Sequence, residues 1–363
     1  MATTIERYQA CLNGQVSSKR IGNTEVPSVL TTLEDEYHAI RNEVALLDLS
    51  FTTRVSVSGT GALQFLQQLV TRDLEFLSEE QTLTCLLLHE NGTIAGEIII
   101  YVMHEYYLIE IWPQYSEEVL DILEKNKRED VTLEDVSDKL QMILLEGPRS
   151  WEIMQQLVSF PIEVLPYKNF ALFEFQEYEL FAARLGYTAE YGYKIFGPSE
   201  AVEELWSYIT TDIKLGENRI QPIGIEALEV CRLEVRFPDL SSEATGYLPV
   251  EAGVNWLMDL RKEFVGKGSN LEVLENGLQR KLVCFKSTAN EISPNQSIVV
   301  DGETIGHIQH VLYSPGLKCK IGVSYIDVKY AASGITYALD NQELIESVSS
   351  PMIYAKSLSI RMA

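Results

Sequence analysis

"RLGYTAEYGYKIFG", residues 184–197, sets Leu185, Tyr187, Tyr191, Tyr193 and Ile195 on odd positions with mostly small or polar residues between them. That period of two predicts two short strands joined by a turn around Ala189–Gly192. Lys194 stands two residues after Gly192, inside the second of these strands. Working outward, Pro198–Ser199 ends the hairpin, and Val202, Leu205, Trp206 and Ile209 then share one helical face. Upstream, "KLQMILLEGP" reads as a strand ending at Gly147–Pro148, with a helix from Ser150. Downstream, "IGIEALEVCRLEVRF" (223–237) reads as a helix.

Further from the hairpin the texture changes twice. Near residue 50 begins "RVSVSG" (54–59), a strand, followed by a helix with Leu63, Leu66 and Val70 in phase. "TLTCLLLHE" and "IAGEIIIYVM" read as strands about the turn Asn91–Gly92. "YYLIEIW" is another strand, and Ser116 opens a helix with Val119, Ile122 and Leu123 on one face. From about residue 280 short strands alternate with Gly and Pro turns, the texture of a small β-barrel or sandwich. The fold class is α+β. The expected organisation is residues 1–50 with 139–240 as one discontinuous α+β domain, 51–138 as a second, and 275–363 as a β-rich third.

Composition excludes several roles. The 29 basic against 53 acidic residues give a net charge of −24, which disfavours nucleic acid or an anionic membrane as partner. Five scattered cysteines without C-x-x-C spacing indicate neither a zinc site nor a disulfide framework, as in a reducing cytoplasm. The N-terminus lacks the pattern of a signal peptide, and no apolar run is long enough to span a bilayer. His307 and His310 would diverge on a strand, so no metal site is expected. "SGTGA" (58–62) lacks the Walker lysine and reads as a strand-to-helix turn. Tyr101, Tyr106, Tyr107, Trp112 and Tyr115 either line a cavity or serve as core. The oligomeric state is not legible.

Eight segments in register resemble the glycine-cleavage T-protein (aminomethyltransferase) family. They are "DEYHAIRNEVALLDLS" (35–50), "VSVSGTGALQFLQQLVTRDL" (55–74), "LEGP" (145–148), "GYTAEYGYKI" (186–195), "IGIEALEVCRLE" (223–234), "LPVEAGVNWLMDLRKEFVGK" (248–267), "RKLV" (280–283) and "GHIQHVLYSPGL" (306–317). The resemblance implies three domains in a cloverleaf around a central channel. It also implies transfer of a methyl, methylene or aminomethyl unit between a small amine-type substrate and tetrahydrofolate bound there. The absence of a cysteine at Phe264–Lys267 argues against the iron–sulfur-linked branch of folate-binding relatives.

The resemblance also implies where the chemistry lies, and there this chain departs from the pattern. The family's paired aspartates correspond to Gly96 and Glu97, leaving Glu97 as the sole carboxylate. A carboxylate there stabilises positive charge on nitrogen as an iminium forms and orients the amine. The bland alternative is a surface glutamate on a strand. On the folate wall the resemblance implies Tyr187, Glu190, Lys194, Leu228 and Arg232. The family's hairpin glutamate, suited to the adjacent donors of a pterin, is here Lys194, which offers only donors. Its helix arginine is here Leu228. Arg232, one turn on, either reaches the same pocket or pairs with Glu229 or Glu234. Glu190 is expected to form an ion pair with Lys194. A buried Lys194 would favour a ligand bearing a carboxylate or phosphate. Thr84 replaces a pocket tyrosine and Ile111 an asparagine. Three readings stand: a one-carbon transferase with a remodelled pocket, a folate-independent enzyme on the same scaffold, and a non-catalytic ligand-binding relative.

Overall fold

The structure, a computed structural model, describes residues 16–213, 220–352 and 359. Parts of the first and third expected domains, 1–15, 214–219, 353–358 and 360–363, lie outside the described residues.

Three sheets carry the fold. A six-stranded sheet runs in the order Phe170–Phe175, Tyr178–Ala183, Gly192–Pro198, Leu140–Glu146, Ala45–Asp48 and Gln221–Pro222. A five-stranded antiparallel sheet runs Thr82–Leu88, Ile94–Val102, Tyr106–Ile111, Thr53–Ser58 and Thr132–Asp135. Strands between Arg280 and Val348 close a six-stranded barrel. The α+β class and the barrel follow the sequence reading. The helix expected from Ser116 begins three residues earlier, at Pro113, where proline's fixed φ suits the first turn.

The hairpin differs from its expected form. Its strands are Tyr178–Ala183 and Gly192–Pro198, paired at Phe181–Phe196, Ala182–Ile195 and Ala183–Lys194. Residues 184–191 form a loop rather than a strand and a tight turn. The reason is a close crossing: a Cβ on Gly192 would lie 2.3 Å from the Gly186 Cα, so the chain folds back on itself through the two glycines. Leu185 and Tyr187 thereby leave the sheet and join the core between the two sheets.

Alternation in the facing strands decides what reaches that core. In Gly192–Pro198, Tyr193 and Ile195 pack under the helices Ser150–Leu157 and Ser199–Thr211. Lys194 and Phe196 take the opposite face, toward the five-stranded sheet. In the five-stranded sheet, Ile99 pairs with Glu110 and Ile98 with Ile111. Glu110 therefore shares the face of Glu97 and Tyr101, whereas Ile111 lies on the other face. The helix Ile225–Val235 joins the regions: Glu234, fully buried, accepts from Arg41 (2.7 Å), Tyr37 (3.1 Å) and Ser314 of the barrel (2.5 Å). No helix among the described residues is long and apolar enough to cross a membrane.

Candidate functional site

Two groups of buried polar side chains lie between the facing sheets. The first centres on Lys194, which is fully buried. Its ammonium donates to both oxygens of Glu110, at 2.6 and 2.7 Å, and to the Tyr187 hydroxyl at 2.7 Å. Glu110 also accepts from the Tyr101 hydroxyl at 2.7 Å. Burial works against the Lys194 charge, but Glu110 and Tyr187 outweigh it and hold the lysine above its ordinary range. All three ammonium hydrogens have acceptors, and the carboxylate accepts three donors. The group is closed.

This corrects the expected partners. Lys194 pairs with Glu110, not Glu190, because Glu190 sits in the loop, 3.8 Å from Arg41 and accepting from Ser359 at 2.6 Å. Nor does Lys194 await an anionic ligand, since the anion is built in.

The second group centres on Glu97. It is not a surface glutamate: only 9% of it is exposed, and burial pushes its carboxyl up to about 7 against the pull of Arg232. Asp239 and Glu243 push the same way as burial, and Lys194 opposes them. The strand turns Glu97 inward because its neighbour Gly96 packs against the helix Pro113–Lys125, where a Cβ would meet Val119 Cγ2 at 2.4 Å. The family's first acid has no room at that position.

Arg232 completes the second group. It pairs with neither Glu229 nor Glu234, which are taken by Lys19 and Arg41. One side of its guanidinium donates to the Pro238 carbonyl at 2.6 Å and, weakly, to that of Phe237 at 3.4 Å. Its plane lies 4.9 Å from the Tyr187 ring centre, 5.6 Å from Trp112 and 5.7 Å from Phe237. These are cation–π distances. The Tyr115 hydroxyl is buried without a hydrogen bond of ordinary geometry and feels the charges of Asp239, Glu97 and Arg232. Ser241, close by, donates its hydroxyl to Asp239 at 2.8 Å instead.

Other expected residues are elsewhere. Leu228 is fully buried core and offers nothing polar. Ile111 packs on the far face of its sheet, and the side chain that reaches Arg232 is its neighbour Trp112. Thr84, paired with Ile99, does lie on the Glu97 face. Sequence reasoning missed Glu110 and Asp239. Glu110 was visible as a single charge in the apolar strand "YYLIEIW"; Asp239, in a turn after the helix, carried no such signal. A cavity of about 340 Å³, lined by Tyr167, Arg184, Tyr191 and Phe237 among others and within the size range of small-ligand pockets, reaches the two groups only through Phe237, which packs on Arg232 and Tyr187. Larger openings elsewhere, such as the 930 Å³ groove by Tyr106 and Tyr178, adjoin neither group. Among the described residues no cluster is suited to a metal ion.

Comparison with known proteins agrees with this architecture. The model of the GCVT N-terminal domain matches residues 10–262, and that of the glycine cleavage T-protein C-terminal barrel domain matches 280–352. The chain is 30% identical over 344 residues to an aminomethyltransferase of Thermoanaerobacter pseudethanolicus, covering 92% of each. It is 32% identical over 323 residues to one of Bacillus cereus, covering 86% of each. The crystal structure of glycine cleavage system aminomethyltransferase T from Bartonella henselae superposes with a TM-score of 0.85 at 19% identity, over 97% of each chain, and supports the fold. With a family model spanning most of its length and relatives aligned nearly end to end, the chain belongs to the glycine-cleavage T-protein family, a family of transferase enzymes.

Proposed function

We propose that the protein moves a one-carbon unit to or from a small amine-type substrate at the Glu97 site. The observation that carries this reading is a buried carboxyl, free of hydrogen-bond partners among the described residues and held near neutrality, on the strand where the family places its acids. A carboxyl raised from 4.5 to about 7 is a better base toward a bound ammonium by about 3 kcal/mol. Glu97 takes the ammonium proton, freeing the nitrogen lone pair to form a C–N bond, and gives a proton back to the nitrogen when that bond breaks. An ionised Glu97 beside the nitrogen also stabilises the positive charge of an iminium.

Tetrahydrofolate is the carrier that the resemblance implies, and the residues at the pterin end do not fit it. A pterin presents adjacent donors that need a carboxylate's two oxygens. Both oxygens of Glu110 already serve Lys194 and Tyr101, and Leu228 offers none. This observation gives a second reading, a folate-independent enzyme on the same scaffold, its support, and the proton transfers at Glu97 are common to both readings. The three sheets support the domain division at residues 51, 139 and 275.

Calorimetric titration tests the reading. Small secondary amines should bind wild type with an affinity that rises across pH 7 as Glu97 ionises, and Glu97→Gln should abolish that rise. A pH-independent affinity in wild type would remove Glu97 from the site.

A further inference from the structure

The Glu97 group holds both signs of charge, kept apart. Arg232 is the leading charge that draws the Glu97 carboxyl back down, and Asp239 and Glu97 are the leading charges that sustain the arginine. Yet no hydrogen bond or ion pair joins Arg232 to either acid among the described residues. Opposite charges this deeply buried ordinarily close into contact, because a charge removed from water needs a hydrogen-bonded partner. Here neither can move. The Arg232 plane is clamped by three rings and the Pro238 carbonyl, and Glu97 is fixed on a central strand. The Nη1 edge of Arg232 donates to no described residue, the Glu97 carboxylate accepts from none, and the buried Tyr115 hydroxyl has only a distorted contact with Ser241. A free cation would satisfy the acids and leave the arginine. A free anion would do the reverse.

We propose that the site takes a small amino-acid-like zwitterion, its ammonium against Glu97 and Asp239 and its carboxylate on the open edge of Arg232. This rests on the amine reading above and adds the second charge of the substrate. The charge of a guanidinium with a planar pair of donors suits a carboxylate. Phe237, which flanks Arg232, also lines the 340 Å³ cavity.

The test is a ligand series on the whole protein by calorimetric titration at pH 7.5. The probes are N-methylglycine, its amide (the same cation without the carboxylate) and propionate (a carboxylate without the cation). N-methylglycine is expected to bind at least about tenfold more tightly than either fragment. Arg232→Gln should bring N-methylglycine to within about threefold of the amide, while Glu97→Gln weakens both. If Arg232→Gln does not fold, the series on wild type still decides. An amide that binds as tightly as the zwitterion, both lost in Glu97→Gln, would overturn the zwitterion and leave the amine reading standing. An N-methylglycine affinity unmoved by Glu97→Gln would overturn the amine reading itself. No binding of N-methylglycine by folded wild type at about 10 mM would also overturn the proposal, because a paired zwitterion should exceed the millimolar range.

Discussion

The two buried charge groups occupy the same interface, share Tyr187 as a neighbour and are equally withdrawn from water, yet one is complete and the other is not. Around Lys194 all three ammonium hydrogens have acceptors and both Glu110 oxygens have donors within the protein. Around Glu97 a carboxylate and one edge of a guanidinium are left without hydrogen-bond partners among the described residues, and a phenol has only a distorted contact with Ser241. Burial alone does not mark a functional site. What separates the groups is satisfaction: a closed group has nothing left to offer a ligand, and an open one retains, at a cost to stability, the capacity to bind.

The closed group gives the largest expected effect. Glu110→Ala leaves the Lys194 ammonium buried with only Tyr187, and should lower stability by about 3–5 kcal/mol. Replacing both partners, Lys194→Met with Glu110→Leu, should cost less, about 1–3 kcal/mol, because no charge is left unpaired but the buried Tyr101 hydroxyl loses its acceptor. Urea unfolding followed by circular dichroism distinguishes these outcomes. A loss under about 1 kcal/mol for Glu110→Ala would mean that water reaches Lys194, and the contrast between the groups would dissolve.

The open group should show the opposite sign. The folded-state pKa of Glu97 lies above its unfolded value, so folding favours the protonated form. Its stabilising contribution is full below 4.5 and is lost as pH rises through about 7. By pH 8.5 the ionised carboxylate should cost about 3 kcal/mol, because its pKa rises from 4.5 to about 7 on folding and each pH unit of that difference is worth about 1.4 kcal/mol. Glu97→Gln should therefore be more stable than wild type at pH 8.5 and no more stable at pH 5, measured as urea midpoints. Glu146, raised by burial to about 8, slopes the same way in both proteins and cancels in the difference. A variant less stable than wild type at every pH would show that Glu97 is a structural group.

How much of this was legible in the sequence follows from how local each feature is. The barrel strands were legible because alternation and turn residues are short-range signals. The loop at 184–191 was not, because it depends on Gly186 meeting Gly192 across the fold, and tyrosines continue the strand period through it. Glu97 was found through the family's pattern; its burial required knowing that Gly96 faces Val119. The partner of Lys194 lies 84 residues away on another sheet. Its signal was present nonetheless: Lys194 and Glu110 are single, opposite charges in two otherwise apolar strands. Register, which placed Glu110 rather than Ile111 on the site's face, is a property of pairing that no single strand contains.

The strand that carries Glu97 gives a smaller effect. Gly96→Ala puts a methyl group 2.4 Å from Val119 Cγ2, well inside contact distance. Overpacking of this kind costs about 1–3 kcal/mol. Val119→Ala in the same chain should recover most of the loss, and thermal unfolding of the two variants is sufficient to see it. If Gly96→Ala is neutral, the helix yields, and the orientation of Glu97 has another cause.

The smallest effect would convert the closed group into an open one. Wild type should bind tetrahydrofolate weakly, because an unmet set of buried polar groups costs about 1–3 kcal/mol, or roughly tenfold to a hundredfold in affinity. Restoring an acid by Lys194→Glu alone would set two carboxylates side by side at Glu110. Adding an arginine at Leu228 would bury a charge in a fully apolar position. The variant that frees an acceptor is Lys194→Glu with Glu110→Gln: the new carboxylate keeps the Tyr187 hydroxyl as donor, the amide replaces the like charge, and two oxygens become available to a pterin. It should bind tetrahydrofolate at least about tenfold more tightly than wild type in calorimetric titration, a gain of about 1.4 kcal/mol. Wild-type binding below about 10 µM that the double change weakens would show that the Lys194–Glu110 pair itself reads the pterin, since only a group in contact with the ligand loses affinity when its charges are exchanged.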